Sequence, residues 1–263
     1  MRRKGGSALL CTAIVLLASG CGSTLDPVAA AATKTGHEGG SFKLAMNIAA
    51  GKDVESIDGD GVFDANGTTR MTLEMLNPVT FEAAKVEAVA TSENGDDVFY
   101  LKIPALTSQL PPGKTWARID LTEAAKKQGL SPRLRGIGPA SDPTQVMQLL
   151  KEVSGGVTKV GSETVLGIDT TRYHANLELT KLLELEGLPK SQVAKAPKAV
   201  AAAKIPADVW VDSDGYLRQF RLRFSMKRQW MTMRMTVTEI GAQEVSTPPA
   251  DQTVDVTDEA AKG

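Results

Sequence analysis

The chain is poor in the residues that carry chemistry. Its 263 residues include two cysteines, Cys11 and Cys21, and two histidines, His37 and His174. No Gly-x-Ser-x-Gly elbow occurs, so that serine-hydrolase signature is absent. No glycine loop of the phosphate-cradling kind ends in Lys-Ser or Lys-Thr. His37 falls in a segment without bulky apolar residues. His174 sits on the polar phase of a strand, and a general base there would still need a nucleophile in reach. The apolar stretch from Ala8 to Ala18, with only Thr12 polar, is eleven residues, whereas a bilayer needs roughly 20. Charge of one sign is lacking too. There are 30 cationic and 31 anionic side chains, which gives no pull toward nucleic acid or toward an anionic surface. These absences leave a non-catalytic protein with no expected cofactor, metal or nucleic-acid partner.

What is present begins with Cys21. Arg2, Arg3 and Lys4 precede the apolar run, and Leu17-Ala18-Ser19-Gly20 leads into Cys21. A cationic start, a short apolar stretch and small residues at a cut describe a secretory signal peptide. A cysteine directly after the cut points to lipidation, with acyl chains on the Cys21 sulfur. The pattern resembles a lipobox, with Ala18 where leucine is commonest. Residues 1–20 then read as a lipoprotein signal peptide, leaving a mature chain without a free thiol and without a disulfide. Losing Arg2, Arg3 and Lys4 leaves 27 cationic against 31 anionic side chains, a net of about −4. Attachment to the membrane would come from the acyl chains, at the outer face of the cytoplasmic membrane. Residues 21–40 read as the lipidated cysteine and a flexible tether, and 41–263 as one domain.

That domain is dominated by period-2 alternation. Phe42, Leu44, Met46 and Ile48 share one phase, as do Met71, Leu73 and Met75, and Phe99, Leu101 and Ile103. Tyr173, Ala175, Leu177 and Leu179 form another row. Phe220, Leu222 and Phe224 oppose arginines, and Met231, Met233, Met235 and Val237 oppose threonines and Arg234. Such alternation predicts antiparallel sheet with one apolar and one wet face. Asn66-Gly67, Asn94-Gly95 and Asp214-Gly215 supply hairpin turns, and about 9–11 strands are expected from the usual spacing. Asp142-Pro143-Thr144-Gln145 starts a helix with a cap, proline and capping-box glutamine. Thr122 to Lys127 predicts a short helix capped by Thr122, and residues 180–203 predict broken helix. Asp58-Gly59-Asp60-Gly61 begins like a calcium loop, but Val62 and Phe63 break the pattern. It reads instead as turn chemistry, as does Asp212-Ser213-Asp214-Gly215.

The apolar inventory is unusual. Aromatics make up 5% of the chain, while methionine occurs nine times. Methionine is flexible and polarisable, and it lines surfaces that accept varied ligands as well as irregular cores.

Three stretches carry a family resemblance: Leu110-Pro111-Pro112-Gly113-Lys114-Thr115-Trp116; the Asp142-Pro143 helix start; and Ile205-Pro206-Ala207-Asp208-Val209-Trp210-Val211-Asp212 with Gly215, Leu217 and Arg218. From about Ser41 to Asp255 the chain resembles actinobacterial lipoproteins of the LolA-like group, of the LppX, LprA, LprF and LprG type. The resemblance implies an α+β fold, an open antiparallel half-barrel whose concave apolar face is covered by helices. It also implies an apolar cavity for an acyl-chain lipid or lipoglycan. The expected lining is Leu44, Met46, Met71, Leu73, Met75, Leu101, Phe220, Leu222, Phe224, Met231, Met233 and Met235. A second reading is an envelope sensor or interaction module that binds a membrane signalling protein.

Overall fold

The computed structural model describes residues 27–50, 53–76, 83–127, 150, 157–178, 180, 191, 194, 204–226 and 229–260. Cys21, the helix expected from Asp142, and nearly all of 180–203 lie outside the described residues.

A helix α1, Pro27–Glu38, precedes twelve strands: β1 Gly40–Ala50, β2 Asp53–Phe63, β3 Thr69–Leu76, β4 Ala83–Glu93, β5 Asp96–Lys102, β6 Trp116–Asp120, β7 Thr158–Val165, β8 Ile168–Glu178, β9 Lys204–Asp212, β10 Leu217–Met226, β11 Gln229–Ile240 and β12 Thr253–Asp255. Short helices α2 (Pro104–Thr107) and α3 (Leu121–Lys127) flank β6, and α4 (Thr257–Ala260) follows β12. All strands join one open sheet in the order β12-β6-β5-β4-β3-β2-β1-β11-β10-β9-β8-β7. Every pairing is antiparallel except β12 with β6. The sheet exceeds the expected 9–11 strands. The three-residue β12, at least, is too short to leave a periodic signal in sequence.

Tight turns make most of the meander. Asn94 and Gly95 both take positive φ between β4 and β5. The Gly67 and Gly215 amides donate to the carbonyls of Asp64 and Asp212. Asp212 therefore does turn work, as expected: its Oδ1 accepts the Tyr216 amide at 2.8 Å and its Oδ2 accepts from Arg218 at 2.6 Å.

The other acidic pair does not. Asp58-Gly59-Asp60-Gly61 lies inside β2 rather than in a turn. Gly59 pairs across the ladders with Leu44 and Leu73, and Gly61 with Phe42 and Met71, so both glycines face the apolar side. A Cβ on Gly61 would come within 2.6 Å of the Phe42 ring and 2.5 Å of the Arg70 carbonyl oxygen. The glycines are there for space, because large side chains from β1 and β3 close over them. Gly61→Val is expected to lower stability by about 1–3 kcal/mol through overpacking, read as a drop in the urea midpoint.

The flexible tether is corrected over residues 27–38, which form α1. Val28, Ala31, Ala32 and Thr35 follow the i, i+3, i+4, i+7 spacing of an inward stripe, and all four are buried. Pro27 opens the helix and Gly39, at φ +75, ends it with its amide on the Thr35 carbonyl. Thr35 Oγ1 accepts the Leu217 amide at 2.9 Å, and Lys34 Nζ donates to the Asp214 carbonyl at 2.7 Å. The helix is thus fastened to the β9–β10 hairpin. A second correction concerns α3. Its cap is Asp120, whose Oδ1 accepts the Glu123 amide, while Thr122 accepts the Asp97 amide instead.

Candidate functional site: the apolar face of the sheet

The predicted lining residues converge because strand register places them in cross-strand rows. Leu44, Met235, Phe220 and Val209 form one row across β1, β11, β10 and β9. Met46, Met233, Leu222 and Ala207 form the next, about two residues along each strand. On the other flank, Phe42, Gly61, Met71, Ala88 and Leu101 run across β1 to β5. Successive strand residues point to opposite faces, so these rows share one side of the sheet.

Leu44, Met46, Met71, Leu73, Phe220, Leu222, Met233 and Met235 are all buried in one apolar cluster, with Leu101 and Met231 partly buried against it. The Met75 and Phe224 side chains lie outside what is described. α1 contributes Val28, Ala31 and Ala32 to the same cluster, and Leu150, on a helix, is fully buried in it. The cluster therefore has helical cover. Leu150 falls on the stripe predicted from the Asp142-Pro143 start.

The opposite face carries charge. Asp208 on β9 is 6% exposed and meets four basic groups. Arg221 and Arg223 donate to its Oδ2 at 2.7 and 3.2 Å. Arg172 lies 3.3 Å and His174 Nδ1 3.1 Å from its Oδ1. Burial alone would raise the Asp208 pKa, but hydrogen bonds from Arg221, His174 and Arg172 outweigh it and hold it at about 2. Arg172 and Arg221 lie 5.3 and 5.5 Å from the Trp210 ring centroid, and Trp210 Nε1 donates to Glu163 at 2.8 Å. His174 is thus hydrogen-bonded on the wet face, as its strand phase indicates.

A polar pocket of about 660 Å³ also opens on this face. Lys43, Asp58, Asp60, Glu74, Glu163 and Arg234 are among its walls, a charged lining unsuited to acyl chains. Sequence reading missed both features. The outward phase of His174, Arg221 and Arg223 is visible in the alternation, but their shared partner Asp208 follows from the register in which β8, β9 and β10 pair, which alternation does not reveal. Among the described residues no cluster of His, Cys, Asp or Glu could hold a metal ion, and no helix is long and apolar enough to cross a membrane.

No protein-family model matches the chain. A curated Streptomyces griseus protein, an uncharacterized 31.2 kDa protein in the rplA–rplJ intergenic region, is 28% identical over 166 residues, 60% of this chain. The match spans 54%, about half, of that relative's length. Among solved structures, the chain is similar to LprF from Mycobacterium bovis at 12% identity and a TM-score of 0.43, covering 85% of this chain and 94% of that one. It is also similar to the Mycobacterium tuberculosis lipoprotein LppX at 14% identity and a TM-score of 0.39, covering 84% of this chain and 100% of that one.

Proposed function

We propose that this chain is a non-catalytic envelope lipoprotein, anchored through Cys21, that shelters the acyl chains of a lipid or lipoglycan against the apolar face of its sheet. The observation that carries the reading is the composition and placement of that face. Beside Phe42, Phe63, Phe99 and Phe220, the flexible side chains of Met46, Met71, Met233 and Met235 are buried on one side of a single sheet, under helical cover. Such side chains repack around ligands of varied form. Each buried CH₂ contributes about 0.8 kcal/mol, so two long acyl chains outweigh the costs of association when the space is preformed. The test is saturable, stoichiometric uptake of a fluorescent diacyl lipid by the purified protein. Failure to saturate with any diacyl lipid overturns the reading.

Anchoring is tested separately. Cys21→Ser should abolish lipid attachment, so the protein is released or accumulates as uncleaved precursor. Fractionation of cells checks this. A variant that stays with membranes as fully as the parent, after normal cleavage, contradicts lipidation as the anchor.

A further inference from the structure

After β11 the chain becomes a strap, residues 241–260, that crosses the wet face to the far edge of the sheet. Gly241, at φ +146, turns it out of β11, and it rejoins the sheet only at β12, on the edge of β6. On the way Arg70 of β3 donates from Nη2 to the Ser246 carbonyl at 2.9 Å. Pro248 is buried, and Pro249, at φ −58 and ψ 134, is in the polyproline II region. Lys114 Nζ donates to the Ala250 carbonyl at 3.3 Å, and the Thr115 amide to the Gln252 carbonyl at 2.9 Å. Arg118 then pairs with Asp255 at 2.6 Å, and the Asp120 amide donates to Thr257 at 2.9 Å.

Two features set the strap apart from the rest of the fold. The body supplies N–H donors and the strap supplies main-chain carbonyls, which is recognition of an extended backbone rather than side-chain packing. Among the described residues, none after Ile240 belongs to either apolar cluster. The second cluster, Val89, Val98, Tyr100 and Trp116, comes from β4, β5 and β6. It lies on the wet side, since Val89 and Tyr100 are in register with Arg70 and Arg118. Arg70 and Lys102 flank the Trp116 ring, each 5.8 Å from its centroid. Main-chain contacts, a polyproline II turn and one added strand are the means by which domains hold peptides. β12 is three residues long and parallel, the weaker kind of pairing. Arg118 also pairs with Glu93 at 3.0 Å, so its charge stays compensated when the strap leaves.

We infer that the β6 edge beside Trp116 is a docking site for an extended, proline-containing segment of a partner protein, and that the strap is its intramolecular competitor. The chain's own strap defines what fits. The partner segment adds a parallel strand to β6, offers carbonyls to Arg70, Lys114 and the Thr115 amide, and sets a carboxylate on Arg118. While the strap is seated, a partner meets only the fraction of molecules with the site open, and its apparent affinity falls by that fraction. Loosening the strap therefore strengthens docking without any new contact. The inference does not depend on the acyl-binding reading, because the two sites lie on opposite faces of the sheet.

The test titrates a fluorescein-labelled peptide of residues 244–260 with the full-length protein and reads anisotropy. The parent should bind it weakly. Asp255→Ala in the protein removes both the Arg118 pair and the carboxylate that accepts the Thr257 amide, and it should bind the peptide about tenfold more tightly. Lys127→Ala repeats the test from the body side: it frees α4 from the Lys127–Asp258 pair at an exposed position, where the fold is not at risk. It should shift affinity in the same direction. A peptide carrying Asp255→Asn cannot pair with Arg118 and should bind each protein more weakly. Absence of saturable binding to both loosened variants overturns the inference. So does binding to them that is no tighter than to the parent, which would place the peptide elsewhere or make the strap a fixed part of the fold.

Discussion

Asp208→Asn destabilises the fold by about 3 kcal/mol at neutral pH, the lower end of the range for removing one partner of a buried ion pair. The lower end applies because Arg223 is half exposed and can turn to solvent. Arg172 and Arg221 cannot turn as freely. Their Nε atoms are already buried without a hydrogen-bond partner, against the Trp210 ring. Losing the carboxylate leaves three guanidinium groups from β8 and β10 without their shared counter-charge.

The pH dependence has a fixed sign. The folded pKa of Asp208 is held at about 2, below the ordinary aspartate value of about 4. Its contribution is therefore complete above pH ~4 and fades as pH falls from ~4 through ~2. Urea titrations at pH 6 and pH 3 should show the gap between parent and variant narrowing at the lower pH. A gap that is constant or widens would place the stabilising charge elsewhere.

The second large effect is on binding. Met233 sits in register between Met46 and Leu222 and is buried on the apolar face. If acyl chains occupy the space in front of it, Met233→Trp fills that space. Lipid uptake should then fall by more than tenfold, an expected loss of at least about 1.4 kcal/mol, while the melting temperature barely moves. In a closed core the same change costs about 1–3 kcal/mol by overpacking, and Met233→Ala costs about 2–5 kcal/mol by leaving a void. Calorimetry and lipid titration on both variants separate the cases. Severe destabilisation with uptake intact would mark Met233 as core.

The parts of the fold that could be read from sequence are those with local signals. β1, β3, β10 and β11 announce themselves by alternation of large apolar with polar residues, and Asn94-Gly95 marks its hairpin by tolerance of positive φ. Where the signal is weak or misleading, reading fails. α1 buries alanine, threonine and one valine, so its stripe carries little hydrophobic contrast and resembles a linker. Gly59 and Gly61 read as a turn, although they keep β2 extended beneath the Phe42 and Leu73 side chains. β7 is exposed along nearly its whole length and lacks the contrast that marks a half-buried strand. Of the candidate lining, the eight residues buried together were legible from strand phase alone. The Asp208 cluster was not, because it depends on the register in which β8, β9 and β10 pair, and alternation shows phase but not register.

The central claim is occupancy of the apolar face by acyl chains. The direct measurement is mass spectrometry of organic extracts from the chain beginning at residue 22. That chain omits Cys21, the proposed point of lipidation, but keeps α1, whose removal would uncover part of the cluster. The account predicts a discrete diacyl lipid or lipoglycan, near one per protein, present in the parent and depleted in Met233→Trp. An extract with no stoichiometric lipid, or equal amounts of the same lipid from both proteins, contradicts it.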